Sequence, residues 1–279
     1  MDRSVGPGRS NVSLEHWLFG SGPETGYGVQ ARSPGLNLSM YERLLEGIYA
    51  PLAGATLHGD AGPVDALMAH SANAATELLL SLISDGPPDA FGRKTFQSHT
   101  AVLPIELLQQ GRLVLSDVEQ ALRSFNPASV GPSGILDPIV VPRNDRPDAE
   151  AQLGVGIGRF ISRASVETLL TRLIQDPGAR TLVLCRDSSQ SDRRLTLLKI
   201  IEVLSFVCNL PIVSSLSDQP AGGVLNRFQL VVAARAFRAD NSWVLLENAL
   251  EIPALPRIPA DAQRYLAMER CFRTTAAPS

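Results

Sequence analysis

The sequence lacks a complete catalytic, metal-binding or nucleotide-binding motif, and several scarcities narrow what it encodes. Cysteine is sparse: Cys185, Cys208 and Cys271 are three widely spaced residues, each in an apolar neighbourhood. An odd count without framework spacing excludes a disulfide-stapled scaffold and fits buried thiols in a reducing compartment. Positive charge is not in excess either. The net charge is −3, and Arg143, Arg146, Arg193 and Arg194 lie beside Asp145, Asp148 and Asp192. No general field for phosphate backbones results, so nucleic acid is not an expected partner. Long apolar runs are missing as well. The most apolar stretch, 195–216, is interrupted by Lys199, Glu202, Asn209 and Pro211, whereas a membrane span needs about 20 apolar residues. The first eleven residues are rich in Gly, Ser, Arg and Pro and carry no signal-like run, which leads to the expectation of a cytoplasmic protein with a flexible amino-terminal tail.

What is present is enough for a packed core: 44% of residues are hydrophobic and 19% charged. A chain of 279 residues exceeds the usual single core, and the expected fold class is α/β or α+β, a two-lobed protein of mixed sheet and helix. The expected division is a tail over 1–13, an α+β lobe over 14–145 and an α/β lobe over 146–279, split where proline and glycine crowd 126–147.

Short strands over 14–20 and 27–31 flank a Gly/Pro turn and predict an opening hairpin. Ser39 with Glu42, and Ser116 with Glu119, have capping-box spacing and predict helices over 39–51 and 116–125. Segment 63–75 has helical composition. Segments 77–83 and 95–103 read as strands, although Leu78, Leu79, Leu80 and Leu82 also suit a helix. A short helix is expected to end at Gly111. Later come a helix near 165–175, a strand at 180–185, a long helix at 192–209, strands near 228–234 and 243–246, and a helix over 260–272 behind a proline-spaced connector.

In the long helix Thr196, Lys199, Glu202, Ser205 and Asn209 recur three or four apart on one narrow stripe. The remaining circumference is apolar and must be buried, either inside the lobe or with one side against another chain. On the second reading Leu197, Ile201 and Leu204, with Trp243 of a following strand, are the candidate interaction residues.

The nearest approaches to chemistry fail on geometry. Gly86 to Thr95 has glycines and Lys94, but Arg93 intrudes and a strand follows where a phosphate-binding loop needs a helix N-terminus. His58 and Asp60 share a glycine-rich loop without a third ligand. Ser98 and His99 are adjacent on a strand and so point to opposite faces, which prevents a nucleophile–base pair between them. His99 is the weak catalytic candidate, with Asp60 or Glu77 as a distant partner; the bland alternative is a half-buried histidine bonded to backbone or to Thr100. No cofactor and no metal is implied.

Three segments in order carry a resemblance. His16 to Gly20 with Tyr27, Gly28 and Leu36, then Gly92, Arg93, Ser98, His99, Thr100 and Pro104, then the apolar helix ending at Pro211, together resemble the N-terminal domain of bacterial GTPase-associated proteins from conflict-system operons. The resemblance implies a non-enzymatic adapter or interaction subunit of a bacterial assembly, partnered by other protein subunits and a small Ras-like GTPase. The alternative is an unrecognised hydrolase or transferase using His99.

Overall fold

The computed structural model describes residues 10–22, 26–41, 45–49, 65–72, 76–127, 130–131, 133–143, 169, 180–185, 189–207, 213–216, 228–233 and 243–247. The helices expected near 165–175 and over 260–272 lie outside the described residues, apart from Leu169 within the first.

Two hairpin-connected stretches build the first half. Strands β2 (His16–Gly22) and β3 (Gly26–Arg32) form the expected opening hairpin, and β4 (Asp65–Ala72), β5 (Glu77–Gly86) and β6 (Thr95–Pro104) follow. The second half supplies β8 (Arg180–Leu184), β9 (Val213–Leu216), β10 (Leu230–Ala233) and β11 (Trp243–Glu247). All nine lie in one mixed sheet in the order β11-β8-β10-β9-β4-β5-β6-β2-β3. The strands of the first half pair antiparallel, those of the second half pair parallel, and β4 joins β9 antiparallel where the two halves meet. The two halves thus differ in the character of their strands, and a continuous hydrogen-bonded ladder connects them.

Strand β1 (Asn11–Leu14) pairs antiparallel with β7 (Ile139–Pro142). Residues 11–13, expected within the tail, are strand: Leu14 and Val141 are buried and their alternation holds residues 11–14 in place.

Both faces of the central sheet are covered. On one face Leu78, Leu80, Ala101 and Leu103 pack with helices α1 (Ile105–Gln109), α2 (Leu115–Ser124) and α3 (Gln190–Val207). On the other, Trp17, Phe19, Leu79, Ile83 and Phe96 pack with Tyr41 and Tyr49. A strand buried on both sides loses its polar alternation, which is why the β5 leucines read equally well as helix. The same cause overturns the helix expected over 63–75: β4 carries Ala66, Leu67, Met68 and Ala69, all buried, and pairing on both edges overrides their helical propensity.

The helix expected over 39–51 is also corrected. The chain makes a 3-10 turn at Leu38–Tyr41 and a π-helical turn at Leu45–Tyr49, and the Ser39 hydroxyl donates to Asn37 Oδ1 at 2.8 Å rather than capping a long helix. Both turns bury a tyrosine, Tyr41 and Tyr49, on the sheet. Helix α2 begins at Leu115, so Ser116 is inside it and its cap position, Val114, offers no side chain.

Helix α3 is where the sequence places it. Leu197, Leu198, Ile200 and Ile201 are buried in the core, and so are Thr196, Glu202 and Ser205 of the polar stripe. The stripe faces protein because α2 needs it: Glu202 Oε1 accepts a hydrogen bond from the Leu115 N–H at 2.7 Å, and Lys199 Nζ donates to Glu202 Oε2 at 2.7 Å.

Candidate functional site

Parity along β2 and β6 sets the site. The register places Leu18 opposite His99 and His16 opposite Ala101, so His16 and His99 project from the helix-covered face. Ser98 projects from the other face, as the sequence expectation requires. There the buried Tyr49 hydroxyl lies 2.7 Å from Ser98 Oγ, 2.7 Å from Thr100 Oγ1 and 3.0 Å from Ser81 Oγ, and Ser81 and Thr100 are 2.8 Å apart. Each hydroxyl has a neighbour, and burial raises the Tyr49 pKa above its usual range, so the cluster anchors the 45–49 turn without an ionised nucleophile.

The two histidines touch. His16 Nδ1 lies 2.7 Å from His99 Nε2, His16 Nε2 lies 2.7 Å from the Asp137 carbonyl, and His99 Nδ1 lies 3.1 Å from the Leu122 carbonyl near the end of α2. Phe125, just beyond that helix, lies with its ring centroid 5.3 Å from His16 and 4.8 Å from His99. Burial lowers the pKa of His16 against the pull of the Asp137 carbonyl; burial and the charge of His16 lower His99 to about 4. Both nitrogens of His99 are therefore occupied by protein, which matches the bonded-histidine alternative in kind, with His16 and Leu122 as partners in place of Thr100.

Beside this pair runs an open groove of about 530 Å³, bounded by Leu18, Gln97, His99, Leu122, Phe125 and Pro127. Its described lining is largely apolar with amides, hydroxyls and the Arg123 guanidinium and no carboxylate, and of the proposed partners Glu77 instead accepts from the Tyr41 hydroxyl at 3.0 Å. Asp60 and His58 lie outside the described residues. Among the described residues no group of three or more His, Cys, Asp or Glu side chains converges as metal ligands. Cys185, just after β8, is buried, and burial pushes its thiol up to about 11, against the nucleophilic direction.

The segment from Gly86 to Thr95 is a hairpin loop, with Gly86 paired to Thr95 across β5 and β6. Asp89 organises it: Oδ1 accepts from the N–H of Phe91 and of Arg93, both at 2.9 Å, and Oδ2 pairs with Arg93 Nε at 2.7 Å. Gly92 supplies the positive φ of 71° that closes the turn. The loop thereby holds Phe91 outward, 82% exposed, with the Arg93 guanidinium 5.0 Å from its ring centroid.

Of the candidate interaction residues, Leu197 and Ile201 are fully buried within the chain. Their apolar positions pack on α1, α2 and the sheet. The side chains of Leu204 and Trp243 lie outside the described residues. Sequence reasoning missed Phe91, whose signal is an aromatic residue inside a turn-rich loop, and missed His16 as the partner of His99. No local signal joins the two histidines, because the pairing of β2 with β6 brings them together. Among the described residues no helix is long and apolar enough to cross a membrane.

No protein-family model, no curated protein and no solved structure matches the chain.

Proposed function

We propose that this protein is a non-enzymatic interaction subunit of a bacterial protein assembly, working in the cytoplasm through contacts with other protein subunits. The observation that carries the reading is Phe91. A large aromatic side chain, 82% exposed and held out by a loop whose hydrogen bonds are already formed, presents an anchor at little ordering cost. Phenylalanine and arginine are among the residue types enriched at protein interfaces relative to the rest of the surface. The occupied nitrogens of His99 favour the same reading, since a general base needs one nitrogen directed at substrate. The rival, a hydrolase or transferase using His99, requires that ring to leave His16 or Leu122 first.

The resemblance of the His16 to Gly20 and Gly92 to Thr100 segments to bacterial GTPase-associated proteins supplies the partner class, a small Ras-like GTPase in a conflict-system assembly. A photo-crosslinking amino acid at position 91, expressed in the native host and read by mass spectrometry, tests the proposal. Specific crosslinks to a GTPase or another subunit are expected. No crosslinks from position 91, alongside robust ones from an unrelated surface position, contradict it.

A further inference from the structure

The buried histidine pair has donors and acceptors that two neutral rings cannot satisfy, whether or not the protein is an interaction subunit. A carbonyl oxygen only accepts, so His16 Nε2 must carry a proton toward Asp137 and His99 Nδ1 must carry one toward Leu122. In neutral imidazole the other nitrogen is then a lone pair. Two neutral rings would set His16 Nδ1 and His99 Nε2 lone pair to lone pair at 2.7 Å. Exchanging the tautomer of either ring only moves the clash to Asp137 or to Leu122. All three contacts become attractive together when a third proton lies between the rings, and 2.7 Å is the short distance of a charge-assisted hydrogen bond.

We propose that His16 and His99 form a buried proton-binding site that holds one shared proton as a single cationic pair, and that this proton latches the 134–137 segment and the end of α2 onto the sheet. The surroundings are suited to one positive charge. The Leu122 carbonyl belongs to the last turn of α2, the negative end of the helix dipole. The Phe125 ring lies against both histidines, within cation–π range. The charged or titratable groups on the neighbouring elements are few. On α2, Arg123 pairs with Glu119 at 2.8 Å, and Asp117 lies in the first turn, away from the pair. Glu15, which precedes β2, lies against Gly35 and acts on Tyr41; Asp137 offers its backbone. The facing positions of β5, Leu80 and Leu82, and of β6, Gln97 and Ala101, are uncharged, and His70 of β4 alternates onto the opposite face with Met68. Strands β1 and β7 carry no titratable group, and Arg143 follows β7.

A second proton is refused, because burial and the charge on His16 hold His99 down to about 4. Burial opposes the first proton too, and the three-way contact is what retains it. On this proposal the pair titrates in two steps on either side of the unfolded histidine value of about 6.5, the upper one set by the three-way contact against the burial that lowers His16. Losing the shared proton turns one contact repulsive. The 134–137 segment keeps its backbone bonds to β3, Arg32 N–H to Gly134 and Leu136 N–H to Arg32, and its further tie to the sheet through His16 is one of the three contacts that the lost proton weakens.

The sign of the pH dependence separates this pair from two neutral rings. Below about 6.5 the unfolded chain binds two protons and the folded pair one, so stability falls toward acid; above it the folded pair binds more than the unfolded chain, so stability falls toward alkali. The pair contributes a bell with its maximum near 6.5. Neutral rings contribute stability that rises through 6.5 and stays level above it.

The test is nitrogen NMR of the histidine-labelled full chain from pH 4 to 9, with unfolding followed over the same range. Expected at pH 7.5 are protons on His16 Nε2 and His99 Nδ1 with a third shared between the rings, and an alkaline fall in stability that disappears in His16→Gln. That substitution keeps an amide donor for Asp137 and has no proton to share. Two protons in total on the pair at pH 7.5, or a stability profile level above 6.5, overturns the proposal; the wild-type spectra decide the matter even where the variant fails to fold.

Discussion

Glu202 of α3 supplies the N-terminal cap that α2 lacks in its own sequence, its Oε1 accepting from the Leu115 N–H across 87 residues. Capping by a distant residue makes the seating of α2, and with it the end of the helix that meets His99, dependent on α3. Glu202→Ala removes the cap and leaves Lys199, whose side chain is 12% exposed, without its ion-pair partner. Breaking a buried pair from one side costs about 3–5 kcal/mol, and equilibrium unfolding in urea measures it.

Glu202→Gln is the milder change, because the amide oxygen still accepts from Leu115. Burial outweighs Lys199 and raises the Glu202 pKa above its ordinary 4.5, so the folded state holds this proton more tightly than the unfolded one. The contribution is present below about 4.5 and is lost as pH rises through the folded value. Glu202→Gln is expected to abolish that decline and to cost less than Glu202→Ala at neutral pH, both read from unfolding curves at several pH values.

Tyr49→Phe deletes the hydroxyl that Ser81, Ser98 and Thr100 share. Ser81 and Thr100 keep each other, and Ser98 is left with a 3.3 Å contact to Thr100. The expected loss is about 1–3 kcal/mol, the cost of unmade buried hydrogen bonds, and thermal unfolding checks it.

Ile201→Ala opens a cavity between α3 and the sheet and should cost about 2–5 kcal/mol. A contact residue exposed in the isolated chain would instead lose binding and keep its stability, so unfolding of the isolated protein distinguishes the two.

Asp89→Ala removes the acceptor for three N–H groups of the loop around Phe91. Those bonds lie in an exposed hairpin loop outside the core, so the melting temperature should change little. Partner affinity should fall, because Phe91 must then be ordered on binding.

The elements that could be read from sequence are those whose neighbours did not matter. The β2–β3 hairpin, β6 and α3 carry their periodicity and turn residues locally. Misread elements owe their form to partners: β4 is built of good helix formers held between β5 and β9, and the described turns at Leu38–Tyr41 and Leu45–Tyr49 bury Tyr41 and Tyr49. The polar stripe of α3 looked solvated because nothing local says that Leu115 needs an acceptor. The site follows the same pattern. Parity predicted that Ser98 and His99 diverge, but the 83 residues between His16 and His99 conceal a contact that only strand order creates. Phe91 was hidden for the opposite reason, since exposure of an aromatic residue has no signature in composition.

The most direct test of the interaction account is the affinity of the captured partner for wild type and for Phe91→Ala. The account predicts at least about tenfold weaker binding, roughly 1.4 kcal/mol, with an unchanged melting temperature. Equal affinity for the two proteins would contradict it.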